Sequence, residues 1–236
     1  MIPPAQAFLY GEGFGRFSTE PYSLDPSSLA NLYVHLTNSS IASERAATDG
    51  CAAHGAPVNA AHGGSKCTLS ELRTRLAAAG IDVAAVWPRV IDVILRSLHA
   101  VSDAIPNQPR AFELYGYDVL IDDTLKPWLI EVNSSPSLAR ETPLDCEVKE
   151  RLVHDTLQLV SPPYFDRIVW AHMLATRLAE RSRATPPPFA TEITALLHGQ
   201  MPRAYGQMPE RLGLYERIAP SAQWDRLRNR RGRGAR

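Results

Sequence analysis

The stretch FELYGYDVLIDDTLKPWLIEVNSSPSL, residues Phe112 to Leu138, contains two strand-like runs separated by a short polar segment. Both runs are rich in apolar residues, and the connecting DDT is typical of a tight turn. The pattern predicts an antiparallel hairpin. Asp118 lies in the middle of its first run, while Glu131 and Asn133 close the second.

These three polar residues are predicted to converge on one face of the hairpin. Glu131 and Asn133 are two positions apart, so their side chains share a face, and the turn brings Asp118 opposite them. A buried, unpaired carboxylate at Asp118 would be costly, so it needs a cation or strong hydrogen-bond donors. Three oxygen ligands suit Mg²⁺. The alternative is structural: Asp118 accepts backbone amide hydrogen bonds, and Asn133 caps the turn before Pro136. The spacing alone does not decide between the two.

Composition limits the classes of protein to consider. With 236 residues and 44% hydrophobic content, the chain can bury a substantial core. Lys and Arg together number 25, as do Asp and Glu, so net charge offers no bulk attraction to nucleic acid or membranes. Three cysteines without a C-x-x-C spacing favour neither a disulfide framework nor a zinc site. The sequence shows no secretory leader and no apolar run of about 18 residues, so neither secretion nor a membrane span is expected.

The region before the hairpin is predicted to contain strands first and helices later. Residues Phe8 to Tyr33 contain strand-like runs, and the glycines of AFLYGEGFGRFS suit a hairpin or a close loop. The run from Asn31 to Ile41 alternates like a strand. The segment from Ser43 to Ser65, rich in small residues, is predicted to be an exposed loop that is partly disordered.

Helical signals follow this loop. Thr68 and Glu71 form a capping-box pattern, and Gly80 is predicted to end that helix. Apolar residues then recur at near-helical spacing from Val86 to Val101, which predicts a long helix packed on a sheet, with Pro88 in its first turn.

The region after the hairpin is predicted to be helical and then disordered. Asp145 is expected to cap a helix that reaches Val160. Further helices are predicted from Tyr164 to Arg183 and from Glu192 to His198, separated by the breaker TPPP. The arginine- and glycine-rich residues 221–236 are predicted to be disordered.

Four blocks of the sequence, FLYGEGFGRFSTEPY, VHLTNSSI, HGGSKCTLSELR and the hairpin stretch, resemble the tubulin tyrosine ligase-like family, in the order that this family uses. The resemblance is to polyglutamylase-type members and covers about Phe8 to Val160. It implies an ATP-grasp fold, an α+β architecture in which an antiparallel sheet with flanking helices binds ATP. Residues 1–160 would be the C-terminal part of that domain, 161–220 a helical extension, and 221–236 the disordered tail.

The resemblance also assigns cofactor ligands. Asp118, Glu131 and Asn133 match the family's Mg²⁺ ligands. Thr37 and Asn38 of the block HLTN match residues that contact ATP, as does Glu131. ATP and Mg²⁺ are therefore the expected cofactors.

Two basic residues match substrate-binding positions of the family. Arg16 matches an arginine that binds the incoming amino acid or the reacting phosphate, and Lys66 matches a lysine that engages glutamate. Together with Glu131 they are the expected catalytic residues. The implied reaction activates a tubulin-tail carboxylate with ATP and joins it to the amine of free glutamate, so electrostatics and positioning dominate and no side-chain nucleophile is required. His35 is either a site residue or a structural histidine.

The resemblance has one gap that affects the expected activity. Family members carry upstream subdomains that hold the ATP phosphates and the adenine, and this sequence begins after the corresponding position, so the chain alone is expected to show little or no activity. The alternatives are a non-catalytic truncated paralogue that binds tubulin or microtubules, a tubulin glycylase, and an ATP-grasp ligase for small molecules. The expected location is cytoplasmic and cytoskeletal, including the basal body and axoneme of a cilium or flagellum.

Overall fold

The structure, a computed structural model, describes residues 6–18, 20–38, 66–105, 111–161, 167–179 and 207–234. Its strands in chain order are β1 (Ala7–Tyr10), β2 (Phe14–Arg16), β3 (Lys66–Thr68), β4 (Gly116–Ile121), β5 (Pro127–Asn133) and β6 (Tyr215–Ala219). Its helices are α1 (Leu32–His35), α2 (Leu69–Ala78), α3 (Val83–Val101), α4 (Pro143–Val160), α5 (Arg167–Ala179) and α6 (Ala222–Gly234). The predicted loop from Ser43 to Ser65, the TPPP breaker and the helix from Glu192 to His198 lie outside the described residues.

The predicted hairpin is confirmed as β4 and β5, which pair antiparallel. In its register Asp118 is opposite Glu131, and Gly116 is opposite Asn133. The Asp122 carboxylate holds the turn, since Oδ1 accepts hydrogen bonds from the backbone amides of Thr124 and Lys126, each at 2.9 Å. An acidic residue is therefore required at this turn for structural reasons, whereas Asp118 and Glu131 lie beyond it on the strands.

The other strand pairs join distant parts of the chain. Strand β2 pairs antiparallel with β3, which places Arg16 opposite Lys66, and β1 pairs antiparallel with β6. Of the two alternatives for AFLYGEGFGRFS, the hairpin is therefore wrong, because its two strands find separate partners, and a short loop joins them. The strand predicted from Asn31 is also wrong: the Asn31 side chain accepts a hydrogen bond from the Tyr33 amide at 3.0 Å and so begins the short helix α1.

The predicted helices before the hairpin are present, with one shift of boundary. Thr68 caps α2 by accepting a hydrogen bond from the Glu71 amide at 3.0 Å, and Gly80 follows the helix with a left-handed φ of 81°. Helix α3 begins earlier than predicted because Asp82 accepts a hydrogen bond from the Ala85 amide and caps it there. Pro88 therefore lies in the second helical turn, not in the first.

Helix α4 ends at Val160 as predicted, but its cap differs from the prediction. Thr142 is the N-cap residue, and Asp145 reciprocates from the third helical position, so that the two form a capping box. Asp145 is 2% exposed, which is unusual for a helix-capping acid and indicates that it has further partners.

The core lies where α3 packs against the strands and α6. Its buried members are Val90, Ile94, Leu95, Ile218, Ala219 and Trp224. Tyr117, Val119 and Ile121 of β4 pack against this cluster, so the prediction of a long helix on a sheet is confirmed. The last predicted inward position, Val101, is instead 51% exposed.

The C-terminal predictions need correction. Helix α5 lies within the helix predicted from Tyr164 to Arg183, but 215–219, predicted as part of a helical extension, form the strand β6. Residues 222–234, predicted to be disordered, form α6. The physical reason is Trp224, which is 6% exposed in the core and anchors a helix whose arginines otherwise resemble a solvated tail. Among the described residues, no helix is long and apolar enough to cross a bilayer.

Candidate active site

The β4–β5 hairpin brings the three predicted metal ligands to one region. Asp118 and Glu131 are register partners, and Asn133 Nδ2 donates a hydrogen bond to Glu131 Oε1 at 3.2 Å. The expectation that Asp118 is buried is wrong, because the two-stranded sheet leaves this face open and Asp118 is exposed. Partial loss of hydration nevertheless raises the pKa of Asp118, and Glu131 raises it further, whereas the positive charge of Arg16 lowers it.

These residues fit a hard divalent cation. Two carboxylates and a carboxamide supply oxygen ligands. The Asn133 side chain donates to Glu131 through its nitrogen, so this hydrogen bond does not use its carbonyl oxygen. Loss of hydration is the main cause of the raised pKa of Asp118 and the neighbouring Glu131 adds to it, and a bound cation would neutralise this charge. Within the described ranges no cluster of three or more His, Cys, Asp or Glu residues forms, so a metal site at the hairpin depends on the amide of Asn133.

Six of the seven predicted site residues line one cleft of about 3050 Å³: Arg16, Thr37, Asn38, Asp118, Glu131 and Asn133. Thr37 and Asn38 reach the cleft from the segment that follows α1. Arg16 lies at the end of β2 and is exposed. The cleft is therefore bounded by a hairpin carrying carboxylates and by a strand carrying a cation, and its volume is larger than the roughly 300–1,000 Å³ of a single small-molecule pocket.

The seventh predicted residue, Lys66, does not line this cleft. Its ammonium pairs with Asp145 Oδ1 at 2.7 Å and lies 3.9 Å from the centre of the Phe14 ring. Its side chain is 16% exposed. The structure therefore places Lys66 beside Arg16 in the sheet, but packed between β2 and the start of α4.

Sequence reasoning missed a second lysine. Lys149 pairs with the same oxygen of Asp145 at 3.0 Å, donates to the carbonyl of Ala139 at 2.5 Å, and lines the cleft. Burial alone would raise the pKa of Asp145, but hydrogen bonds from Lys66, Thr142 and Lys149 outweigh it and hold that pKa well below its ordinary value. The sequence signal for this pair was the spacing of Asp145 and Lys149, four residues apart on a helix. Such pairs usually lie on exposed surfaces, so the spacing did not indicate a buried cluster.

His35 was expected to be either a site residue or a structural histidine, and its contacts favour the structural role. Its Nε2 lies 3.1 Å from the carbonyl oxygen of Ser28, and its ring meets Tyr22 edge-on with the ring centres 5.7 Å apart. These contacts join α1 to the turn before it, and His35 is not among the residues that line the cleft.

Comparison with known proteins assigns the chain to a family. The sequence profile described as Tubulin-tyrosine ligase family matches residues 1–168. The chain belongs to the tubulin-tyrosine ligase family. The match extends past α4 into the first residues of α5. It covers every residue that the sequence assigned to the site.

Individual relatives of this family are polyglutamylases by name. The chain is 38% identical over 158 residues to the human "Probable tubulin polyglutamylase TTLL2", covering 66% of this chain and 25% of that protein. It is 38% identical over 173 residues to "Tubulin polyglutamylase ttll-5" of Caenorhabditis elegans, covering 70% and 23% respectively. It is 38% identical over 161 residues to "Probable alpha-tubulin polyglutamylase Ttll1" of Tetrahymena thermophila, covering 67% and 36%. The chain thus spans between about a quarter and about a third of the length of these relatives.

Proposed function

We propose that this chain carries the metal-binding and substrate-orienting part of an ATP-dependent ligase that adds glutamate to glutamate side chains of tubulin tails. The relatives named as tubulin polyglutamylases support the substrate class. The mixed helices and small antiparallel sheets are consistent with the C-terminal part of an ATP-grasp domain. ATP and Mg²⁺ are the proposed cofactors.

The observation that carries this proposal is the pairing of Asp118 with Glu131 on a face that also holds Asn133. A binding module for tubulin tails needs no such set of oxygen ligands, and two adjacent carboxylates would repel an acidic peptide. Asp118, Glu131 and Asn133 would hold Mg²⁺, which would neutralise the charge of the ATP phosphates during transfer.

The remaining cleft residues have roles that need no covalent chemistry. Arg16 is exposed at the end of β2 and its charge acts on Asp118, so it can orient an anionic group near the metal ligands. Thr37 and Asn38 offer a hydroxyl and a carboxamide on the same cleft, and we propose that they contact ATP. Joining a carboxylate to an amine with ATP is then catalysed by position and charge.

The proposed partners and location follow from the proposed reaction. The partners are the acidic C-terminal tails of tubulin and free glutamate, and the proposed location is the cytoskeleton, including the axoneme and basal body of a cilium or flagellum.

The test is ATP-dependent incorporation of labelled glutamate into a tubulin-tail peptide by the purified chain. Low incorporation that requires Mg²⁺ and is abolished in Glu131→Gln is the expected result. Glu147→Gln, which makes the same chemical change at an exposed position of α4, is the matched control and should retain wild-type incorporation. Incorporation of labelled glycine in place of glutamate would make the chain a glycylase. Tubulin binding without incorporation, together with Mn²⁺ binding that is the same in wild type and in Glu131→Gln, would overturn the ligase proposal in favour of a non-catalytic binding protein.

A further inference from the structure

The Asp145 cluster contains more positive than negative charge. A single carboxylate, with its side chain 3% exposed, holds the ammonium groups of Lys66 at 2.7 Å and Lys149 at 3.0 Å, both at Oδ1. Its other oxygen accepts hydrogen bonds from the Thr142 hydroxyl at 2.8 Å and the Thr142 amide at 3.2 Å. Both oxygens of Asp145 are therefore occupied, and the three charged groups sum to one uncompensated positive charge.

The two lysines differ in how they are placed. Lys66 lies closer to Phe14, with its ammonium 3.9 Å from the centre of the ring, while that of Lys149 lies 5.9 Å from it. Lys149 lines the cleft, and Lys66 does not. The surplus charge of the cluster is therefore presented to the cleft by Lys149.

Lys149 retains capacity to bind a ligand. An ammonium group has three N–H donors, and the hydrogen bonds described for Lys149 account for two of them, to Asp145 and to the carbonyl of Ala139. Its side chain is 14% exposed, so the third donor is accessible from the cleft. The two existing bonds hold the ammonium in place, so less conformational entropy is lost when it binds a ligand.

A second cation shares this side of the cleft. Arg16 is the register partner of Lys66 across β2 and β3, and Lys66 shares its aspartate oxygen with Lys149. Arg16 and Lys149 thus lie on adjoining elements and line the same cleft as Asp118 and Glu131. A cleft that carries both carboxylates and cations would bind a metal cation and an organic anion side by side.

From this arrangement we infer that Lys149, held by Asp145 and acting with Arg16, is a substrate-binding residue that takes a carboxylate group of the incoming amino acid. Lys66, to which the sequence assigned that contact, instead compensates the buried charge of Asp145. The inference rests on the proposed function for its choice of ligand, because an acidic amino acid is the substrate whose carboxylate would need this site.

The test is a titration of the full chain with L-glutamate in the absence of ATP and metal, followed by backbone amide chemical shifts in NMR spectra. Wild type should bind with shifts that include Phe14 to Arg16 and Lys149. Lys149→Gln should weaken binding by about tenfold or more, as expected for loss of a charge-assisted hydrogen bond, and Lys149→Arg should restore much of it. Lys126→Gln, at an exposed lysine of the hairpin turn, is the matched control and should bind as wild type.

Lys66→Gln separates the two lysines. It should weaken glutamate binding less than Lys149→Gln does, because it removes the net charge of the cluster but leaves the Lys149 donor in place, and it should lower the melting temperature, since it removes a partner of a buried carboxylate. Wild-type affinity in Lys149→Gln, or no saturable shifts in the wild type, would overturn the inference. If inorganic phosphate produces the Lys149-dependent shifts and glutamate does not, the assignment of this site to a carboxylate is overturned. The titration contains no ATP or metal, so its result is independent of the incorporation assay. Glutamate binding can fail while incorporation sensitive to Glu131→Gln still supports the proposed ligase. Glutamate binding can also be found when incorporation fails.

Discussion

Asp118 and Glu131 face each other across the β4–β5 hairpin, so that two carboxylates occupy the same exposed face of one small sheet. Loss of hydration and the neighbouring Glu131 both raise the pKa of Asp118. Stability alone would favour an uncharged residue at one of these positions. The pair is therefore a cost to the metal-free fold that a bound cation would relieve.

Asp118→Asn should leave the metal-free chain as stable as wild type or slightly more stable at neutral pH, by about 0–1 kcal/mol. The pKa of Asp118 is raised above its ordinary value of 3.8, so the stability that this group contributes is present below pH 3.8 and is lost as pH rises through its folded-state pKa. The difference in free energy of unfolding between wild type and Asp118→Asn should therefore appear only above this pH range. Urea unfolding at pH 3 and pH 7 measures it, and a clear loss of stability at pH 7 would mean that Asp118 is a structural acceptor.

Asp145→Asn should lower the free energy of unfolding by about 3 kcal/mol at neutral pH, because it leaves two lysines around a buried site without a counter-charge. The pKa of Asp145 is held below its ordinary value of 3.8, so its contribution is present above pH 3.8 and is lost as pH falls through the folded-state pKa. Thermal melts of both proteins from pH 7 down to pH 2 should converge at the acid end. Equal stability at pH 7 would contradict the buried cluster.

Gly213→Ala should be much more destabilising than Gly80→Ala. Both glycines have a left-handed φ, of 56° and 81°, so each substitution carries a backbone cost of about 1 kcal/mol. A Cβ at Gly213 would also overlap the carboxyl group of Asp155, whereas at Gly80 it meets open space. We expect Gly213→Ala to cost at least about 2 kcal/mol more, measured by urea unfolding. The backbone amide of Leu214 donates a hydrogen bond to Asp155 Oδ2 at 3.0 Å, and equal costs would show that this contact does not hold the turn.

Trp224→Ala should destabilise the fold by about 3–5 kcal/mol and release α6 from the core. Its ring is buried and meets His99 edge-on, with the ring centres 5.4 Å apart. Limited trypsin digestion reports the release, because Arg226 and Arg228 lie directly after this anchor. Rapid cleavage at these arginines should occur in the variant and be slow in wild type. Fast cleavage in both would support the disordered tail that the sequence alone suggested.

Local patterns in the sequence predicted the hairpin and the helices well, because alternation, capping residues and helical spacing act over a few residues. Strand β6 was missed because its register with β1 joins residues more than 200 positions apart. The helix α6 was missed because its arginines outweighed a single anchoring tryptophan in the pattern.

The site shows the same division between local and distant contacts. Asp118, Glu131 and Asn133 could be placed from pleat and turn geometry, since one hairpin carries all three. The position of Lys66 could not be predicted in this way. Asp145, which holds Lys66, lies 79 residues later, and only the fold brings the two together. The role of Lys149 depended on the same distant contact.

Binding of Mn²⁺ to the purified chain, followed by the loss of the free-ion signal in electron paramagnetic resonance, is the most direct measurement of the proposed metal site. The expected result is one site per chain in the wild type, weakened about tenfold or more in Glu131→Gln and Asp118→Asn, and unchanged in Glu147→Gln. Absence of a site in the wild type, or the same affinity in Glu131→Gln, would contradict a divalent metal site at the β4–β5 hairpin.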